Sequence, residues 1–210
     1  MDLERQKEYF KDHEAKLSDY GNIKILDFKN PNSDEYRIRF VFEEDYCRLH
    51  ISGDLGELTA VNYSNMTYER FSDFVRDAGY FAEKVKCHSR DIYSYDEDDA
   101  EADLKQYFND HESAYDKIMA DKNDWDTESE RIDQVINKIL CDFSQDMGIG
   151  SKGYDELSKY VSNAWEIAGD VGKRSTGILD LYLLAFKLAK ENLKEHELDQ
   201  KEIEETENDL

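Results

Sequence analysis

Residues 2–18 place Leu3, Phe10 and Leu17 a heptad apart with Tyr9 beside them, and this spacing predicts a first helix closed at Gly21. The period then shortens to two. Ile23 to Phe28 reads as a strand, followed by an Asn30-Pro31-Asn32-Ser33-Asp34 turn that contains the only proline. Tyr36 to Phe42 alternates, with Tyr36, Ile38, Phe40 and Phe42 on one face. A polar Glu43-Glu44-Asp45 turn leads into a strand from Tyr46 to Ser52 that groups Cys47, Leu49 and Ile51. After Gly53-Asp54-Leu55-Gly56, residues Glu57 to Tyr63 form a fourth strand. Turns this short join antiparallel neighbours, so a four-stranded meander is expected.

Beyond residue 66 the period becomes helical. Thr67 can cap a short helix that buries Phe71, Phe74, Val75 and Ala78 and stops at Gly79. Residues 80–95 fit no single pattern. From Asp96 to about Ala120 a stripe of Ala100, Leu104, Tyr107, Phe108, His111, Tyr115, Ile118 and Met119 predicts helix, with a break near 110–113. Thr127-Glu128-Ser129-Glu130 is a capping box, in which hydroxyl and carboxylate each satisfy the other residue's backbone donor. It opens a helix through Ile132, Val135, Ile136, Ile139, Leu140, Phe143 and Met147 to Gly148. Residues 154–168 give another, with Leu157, Tyr160, Val161, Ala164, Trp165 and Ala168 inward. A last helix over about 177–195 is apolar nearly all round and is expected to be buried and central. The fold class is therefore α+β: an N-terminal helix and four-stranded antiparallel sheet, then a mainly helical C-terminal half. Three segments follow: a sheet subdomain 1–92, a helical subdomain 93–196, and an acidic tail 197–210 with little to bury, which is expected to fray.

The 210 residues include fourteen Tyr, ten Phe and two Trp, enough to build a packed core without metals or disulfides. Cys47, Cys87 and Cys141 are too few and too scattered for a disulfide framework, which points to a reducing cytoplasm. The charged opening MDLERQKEYF lacks the apolar stretch of a secretion signal, and the run Ile178 to Phe186 is too short to span a bilayer. Neither supports a membrane role.

The net charge of −23 is unevenly placed. Residues 1–90 carry 18 acids and 14 bases, residues 91–133 carry 16 and 4, residues 134–194 balance, and residues 195–210 carry 8 and 1. Such a surface repels nucleic acid and anionic membranes and attracts basic surfaces. It also serves as a plain solubilising coat, and charge alone does not separate the two readings.

Familiar chemistry is sparse. Gly148-Ile149-Gly150-Ser151-Lys152-Gly153 matches GxGxxG, but a capped helix precedes it where a phosphate site needs a strand, so an interhelical turn is the better reading. GDVGKRST at 169–176 has the wrong spacing for a phosphate loop. Cys47, His50, Cys87 and His88 do not make a zinc set, because strand alternation turns Cys47 and His50 to opposite faces. Asp96-Glu97-Asp98-Asp99 and Asp121-Lys122-Asn123-Asp124-Trp125-Asp126 lack the glycine and distal acid of a calcium loop. No nucleophile motif offers a catalytic residue, and no metal or cofactor is implied.

The acids on the polar face of the 96–120 segment are the partner-binding candidates: Asp96, Glu97, Asp98, Asp99, Glu101, Asp103, Asp110, Glu112 and Asp116, with Lys105 and Lys117 the cations among them. Carboxylates at helical pitch can occupy a basic groove shaped for phosphates. The competing reading is a solvated helix face.

Arg37 to Gly79, RIRFVFEEDYCRLHISGDLGELTAVNYSNMTYERFSDFVRDAG, resembles uncharacterised proteins carried by phages and mobile elements of gut Firmicutes. The resemblance continues through YFAEKVKCHSRDIYSYDEDDAEADL, residues 80–104. Some small acidic proteins of that background are anti-CRISPR inhibitors, which implies an inhibitor of a basic nucleic-acid-binding defence protein such as Cas9, acting by DNA mimicry in the host cytoplasm. The resemblance assigns no residue a role. The alternative is an accessory or adaptor protein whose partner surface lies on the sheet face.

Overall fold

The computed structural model describes residues 3–120, 122–123 and 125–208, and the side chains of those residues except 3, 75–76 and 197–208. The chain forms two compact units: Met1–Ile92 together with Gly177–Leu210, and Tyr93–Thr176. The expected subdomain 93–196 thus gives up its last helix to the sheet.

The first unit is a six-stranded antiparallel meander in sequence order, two strands more than expected. Its strands are β1 (Glu14–Asp19), β2 (Ile23–Lys29), β3 (Ile38–Glu43), β4 (Arg48–Gly53), β5 (Leu58–Val61) and β6 (Val85–His88). The expected helix over 2–18 is replaced by a short α1 (Leu3–Lys7), a 3-10 turn at Glu8–Phe10, and β1. The heptad was a coincidence. Phe10 is buried from the 3-10 turn, while Ala15 and Leu17 follow a period of two and pair across to Phe28 and Leu26. An inward row of Leu17, Leu26, Phe40, Ile51 and Leu58 crosses five strands. Tyr36 lies before its strand at φ 57, and Cys47 makes the left-handed turn into β4 at φ 47 rather than joining it. Residues 70–76 form a 3-10 helix that buries Phe71 and Phe74, and Gly79 sits inside α2 (Ala78–Ala82) instead of ending a helix. The Val75 side chain lies outside the described residues.

The helix α8 (Ile178–Asn208) covers the inner sheet face. The Phe186 ring packs against Phe71 at 4.8 Å, Phe40 at 5.5 Å and Phe42 at 5.9 Å between centroids. Tyr182 donates its buried hydroxyl to the Leu55 carbonyl at 2.9 Å, and burial pushes its pKa up to about 12. The sequence reading of an apolar, central last helix holds; its place is on the sheet. The backbone of α8 continues through the expected tail to Asn208, whose side chains lie outside the described residues.

The second unit is helical, built from α3 (Glu97–Asp110), α4 (Glu112–Ala120), α5 (Glu128–Ile139), α6 (Ser151–Tyr160) and α7 (Ala164–Ala168). Its core gathers Leu104 and Phe108, Ile118, Val135, Ile136 and Ile139, and Leu157. The break near 110–113 falls at the extended His111, and the capping box forms between Thr127 and Glu130 as expected. The predicted helix over 154–168 is two helices, and Trp165 and Met147 point to solvent instead of the core. A two-stranded ribbon of β7 (Tyr93–Tyr95) and β8 (Lys173–Ser175) pairs Tyr93 with Ser175, so the unit's two ends lie side by side. Among the described residues no helix is long and apolar enough to cross a membrane.

Candidate functional site

The nine expected partner-binding acids all lie in the helical unit, but they do not form one row. Asp96 is the N-cap of α3 and accepts the Asp99 backbone N–H at 3.0 Å. At about 100° per residue, Asp99, Asp103 and Asp110 fall on one flank of α3 and Glu97 and Glu101 on another. The break at His111 then separates Glu112 and Asp116 on α4.

Internal cations take three of the nine. Arg174 on β8 forks onto Asp103, Nη1 to Oδ2 and Nη2 to Oδ1 at 3.1 Å each, and its Nε reaches Asp99 Oδ2 at 2.9 Å. The Gly172 N–H donates to Asp103 at 2.9 Å. Arg174 first, then that N–H, holds the Asp103 carboxyl below the usual carboxylate range. Glu101 pairs with Lys105 at 2.6 Å, and Lys105 also reaches Asp133 at 3.0 Å. These contacts bind α3 to β8 and to α5, which makes them structural. Glu97, Asp98, Asp110, Glu112 and Asp116 are exposed and make no ion pair among the described residues.

Four of the unit's seven other bases are similarly occupied. Lys159 pairs with Glu156, Lys173 with Asp170 at 3.0 Å, Lys117 donates to the Tyr160 carbonyl at 3.2 Å, and the buried Arg131 donates to the Ile118 carbonyl. With 21 acids against 9 bases in residues 93–176, the unpaired surplus is anionic and faces water. Both tryptophans of the chain also stand outside, Trp125 at 94% and Trp165 at 70% exposure. A tryptophan is normally well buried, so two exposed indoles in an anionic unit are unusual. Sequence reasoning missed Trp125 although its polar, acidic loop was the available signal. It missed Arg174 because 71 residues separate it from Asp103.

The glycine turn at 148–153 explains itself in the same terms. Asp142 accepts the N–H groups of Lys152 and Gly153 at 2.9 Å each, so a carboxylate of the chain fills the anion position at the start of α6. Those two donors lower its pKa. A Cβ at Gly150 would overlap the Asp142 carboxylate, and one at Gly153 would overlap the Ile139 carbonyl oxygen. The motif is an interhelical turn with no room for phosphate.

In the sheet unit, a groove of about 980 Å³ is lined by both signs of charge. Arg39 forks onto Asp27 at 2.5 and 3.1 Å and Arg37 pairs with Asp34, so it offers no uniform field. Among the described residues no group of three or more His, Cys, Asp and Glu side chains is placed to hold a metal ion.

No known family, curated protein or solved structure matches this chain. The functional reading therefore stands on geometry and charge.

Proposed function

We propose that the protein works by binding a basic protein surface through its helical unit, as an inhibitor that competes for a nucleic-acid-binding groove would. The observation that carries this reading is the exposed set Glu97, Asp98, Asp110, Glu112 and Asp116, which make no ion pair among the described residues while six of the unit's nine cations are held by other groups. Exposed Trp125 and Trp165 add aromatic anchors, which charge alone would not supply. The sequence resemblance makes a CRISPR effector such as Cas9 the first target to try, with the protein as an anti-CRISPR-like product of a phage or mobile element. Asp96, Asp99, Glu101 and Asp103 keep a role in holding the unit together. Capture from host lysate at low and high ionic strength tests this. The expected result is recovery of a basic nucleic-acid-binding protein at low salt only, lost in the combined Glu97→Gln, Asp98→Asn, Asp110→Asn, Glu112→Gln, Asp116→Asn variant.

The second reading, an adaptor that binds through the sheet unit, is favoured by a separate observation. Tyr20, Tyr46 and Tyr63 are 68%, 69% and 99% exposed, on three loops at one end of the sheet. Hydrogen bonds from Glu44 N to Asn22 O, from Asn62 N to Cys47 O and from Asn22 to Asp45 lock those loops together. Rigid tyrosines among Asn, Gly and Ser are what recognition loops are made of. On this reading, replacing the three tyrosines by alanine abolishes partner capture, while the charge variant leaves it intact and nearly independent of salt.

A further inference from the structure

The solvent face of the sheet carries a cross-strand row that the linear sequence hides. Val41, His50, Thr59 and Cys87 are successive Cα partners across β3, β4, β5 and β6, which brings their side chains to one face. Within it, the His50 Nδ1 lies 3.1 Å from the Thr59 hydroxyl oxygen, and the His50 Nε2 lies 3.3 Å from a carboxylate oxygen of Glu43. Arg48 reaches the same oxygen of Glu43 at 3.6 Å and steadies it. Beside Thr59 opens a concavity of about 380 Å³, lined in part by His50, Ser52, Cys87 and Ser89. A hydroxyl in reach of a base whose other nitrogen is fixed by a carboxylate is the arrangement that activates a nucleophile.

We propose that Thr59, His50 and Glu43 form an acyl-accepting site for small activated esters or thioesters, an activity beyond the binding role and independent of it. With the imidazole proton on Nε2 and donated to Glu43, Nδ1 accepts the Thr59 hydroxyl proton as the oxygen attacks the acyl carbon. The bond from Thr59 Oγ1 to the acyl carbon forms, the carbon–oxygen or carbon–sulfur bond of the donor breaks, and the proton passes from His50 to the leaving group. In the second half a water gives its proton to His50 and attacks the acyl carbon. The carboxylic acid departs, and Thr59 recovers its proton from His50. Ser52 and Ser89 line the same cavity. Ser89 Oγ accepts the Glu57 N–H at 2.8 Å, which leaves its own hydroxyl hydrogen available to the developing oxyanion. Thr59 and His50 are the catalytic residues, and Glu43 is a positioning residue.

The test is to incubate the full-length protein with p-nitrophenyl acetate, follow p-nitrophenolate, and map the acetyl group by peptide mass spectrometry. The expected result is an acetyl group on Thr59, lost in Thr59→Val and kept in Thr59→Ser. His50→Gln should slow its formation by about 100-fold or more, the range for loss of a positioned base. Glu43→Gln should lower the rate constant without changing the ester concentration at half-saturation, a split that a merely structural role would not give. Cys87→Ser should still acquire the acetyl group on Thr59, which separates that adduct from simple thiol acylation. Acetylation of Cys87 alone, no adduct on Thr59, or an adduct that forms equally fast in His50→Gln would each overturn the proposal.

Discussion

The two units dispose of charge in opposite ways. In the sheet unit, opposite charges meet across strands or between strand and helix: Arg39 with Asp27, Arg48 with Glu43, and Lys24 with both Glu44 and Glu69. Residues 1–92 and 177–194 together carry 21 acids and 17 bases, and the end of α8, residues 195–210, adds 8 acids and 1 base. In the helical unit there are 9 cations for 21 acids, and among the described residues six of the nine are held by carboxylates or backbone carbonyls. Outside the 195–210 stretch, the surplus is therefore concentrated in the helical unit, which cannot cancel it internally. An evenly spread solubilising coat would not divide this way, which is why the contrast bears on function.

The units also differ in what holds them. The sheet unit depends on the return of α8, whose Phe186 touches three aromatic rings of its core. Phe186→Ala should destabilise that unit by about 3–5 kcal/mol, while Leu104→Ala, fully buried in the other core, should cost the helical unit about 2–5 kcal/mol. Hydrogen exchange resolved by peptide is the check. Each change should loosen its own unit, and faster exchange throughout both would show that they unfold as one. Gly153→Ala should be next in size, about 1–3 kcal/mol on the helical unit, because its Cβ meets the Ile139 carbonyl. Thermal melts monitored by circular dichroism would register it.

Acid should separate the units. His13 is buried against Phe10 and Phe28, and burial lowers its pKa from the ordinary 6.5. Below that value the unfolded chain takes up the proton first, so the sheet unit loses stability as pH falls through the folded pKa of His13. In the helical unit Asp103 is held by Arg174 below its ordinary 3.8, so the stability it supplies is intact above that value and lost only in stronger acid. Denaturant midpoints at pH 7 and pH 5 should fall for the sheet unit more than for the helical one, and His13→Gln should abolish the difference. The smallest effect is expected from Thr127→Ala, about 1 kcal/mol, through loss of the α5 cap.

Much of the sheet was legible because β2 to β5 are amphipathic strands joined by polar turns, and the α5 cap and the buried character of α8 were equally plain. The first strand was not, since a chance heptad masked the alternation of Ala15 and Leu17. The sixth was not, since Val85 to His88 are mostly exposed and carry little pattern. Nor does any local signal send α8 back to the sheet, because long-range pairing is decided by which surface has an apolar face to cover. Of the candidate acids, the sequence located the excess and could not tell the paired from the unpaired, for Arg174 enters only through tertiary folding. The row of Glu43, His50 and Thr59 is likewise a product of strand register.

The most direct test titrates the full-length protein against a Cas9–guide RNA complex at low and at high ionic strength, alongside the five-site charge variant and the three-tyrosine variant. The charge account predicts tight binding that weakens steeply with salt, disappears in the charge variant and survives in the tyrosine variant. Binding that ignores both salt and the loss of those five carboxylates, or no binding at low ionic strength, would contradict it.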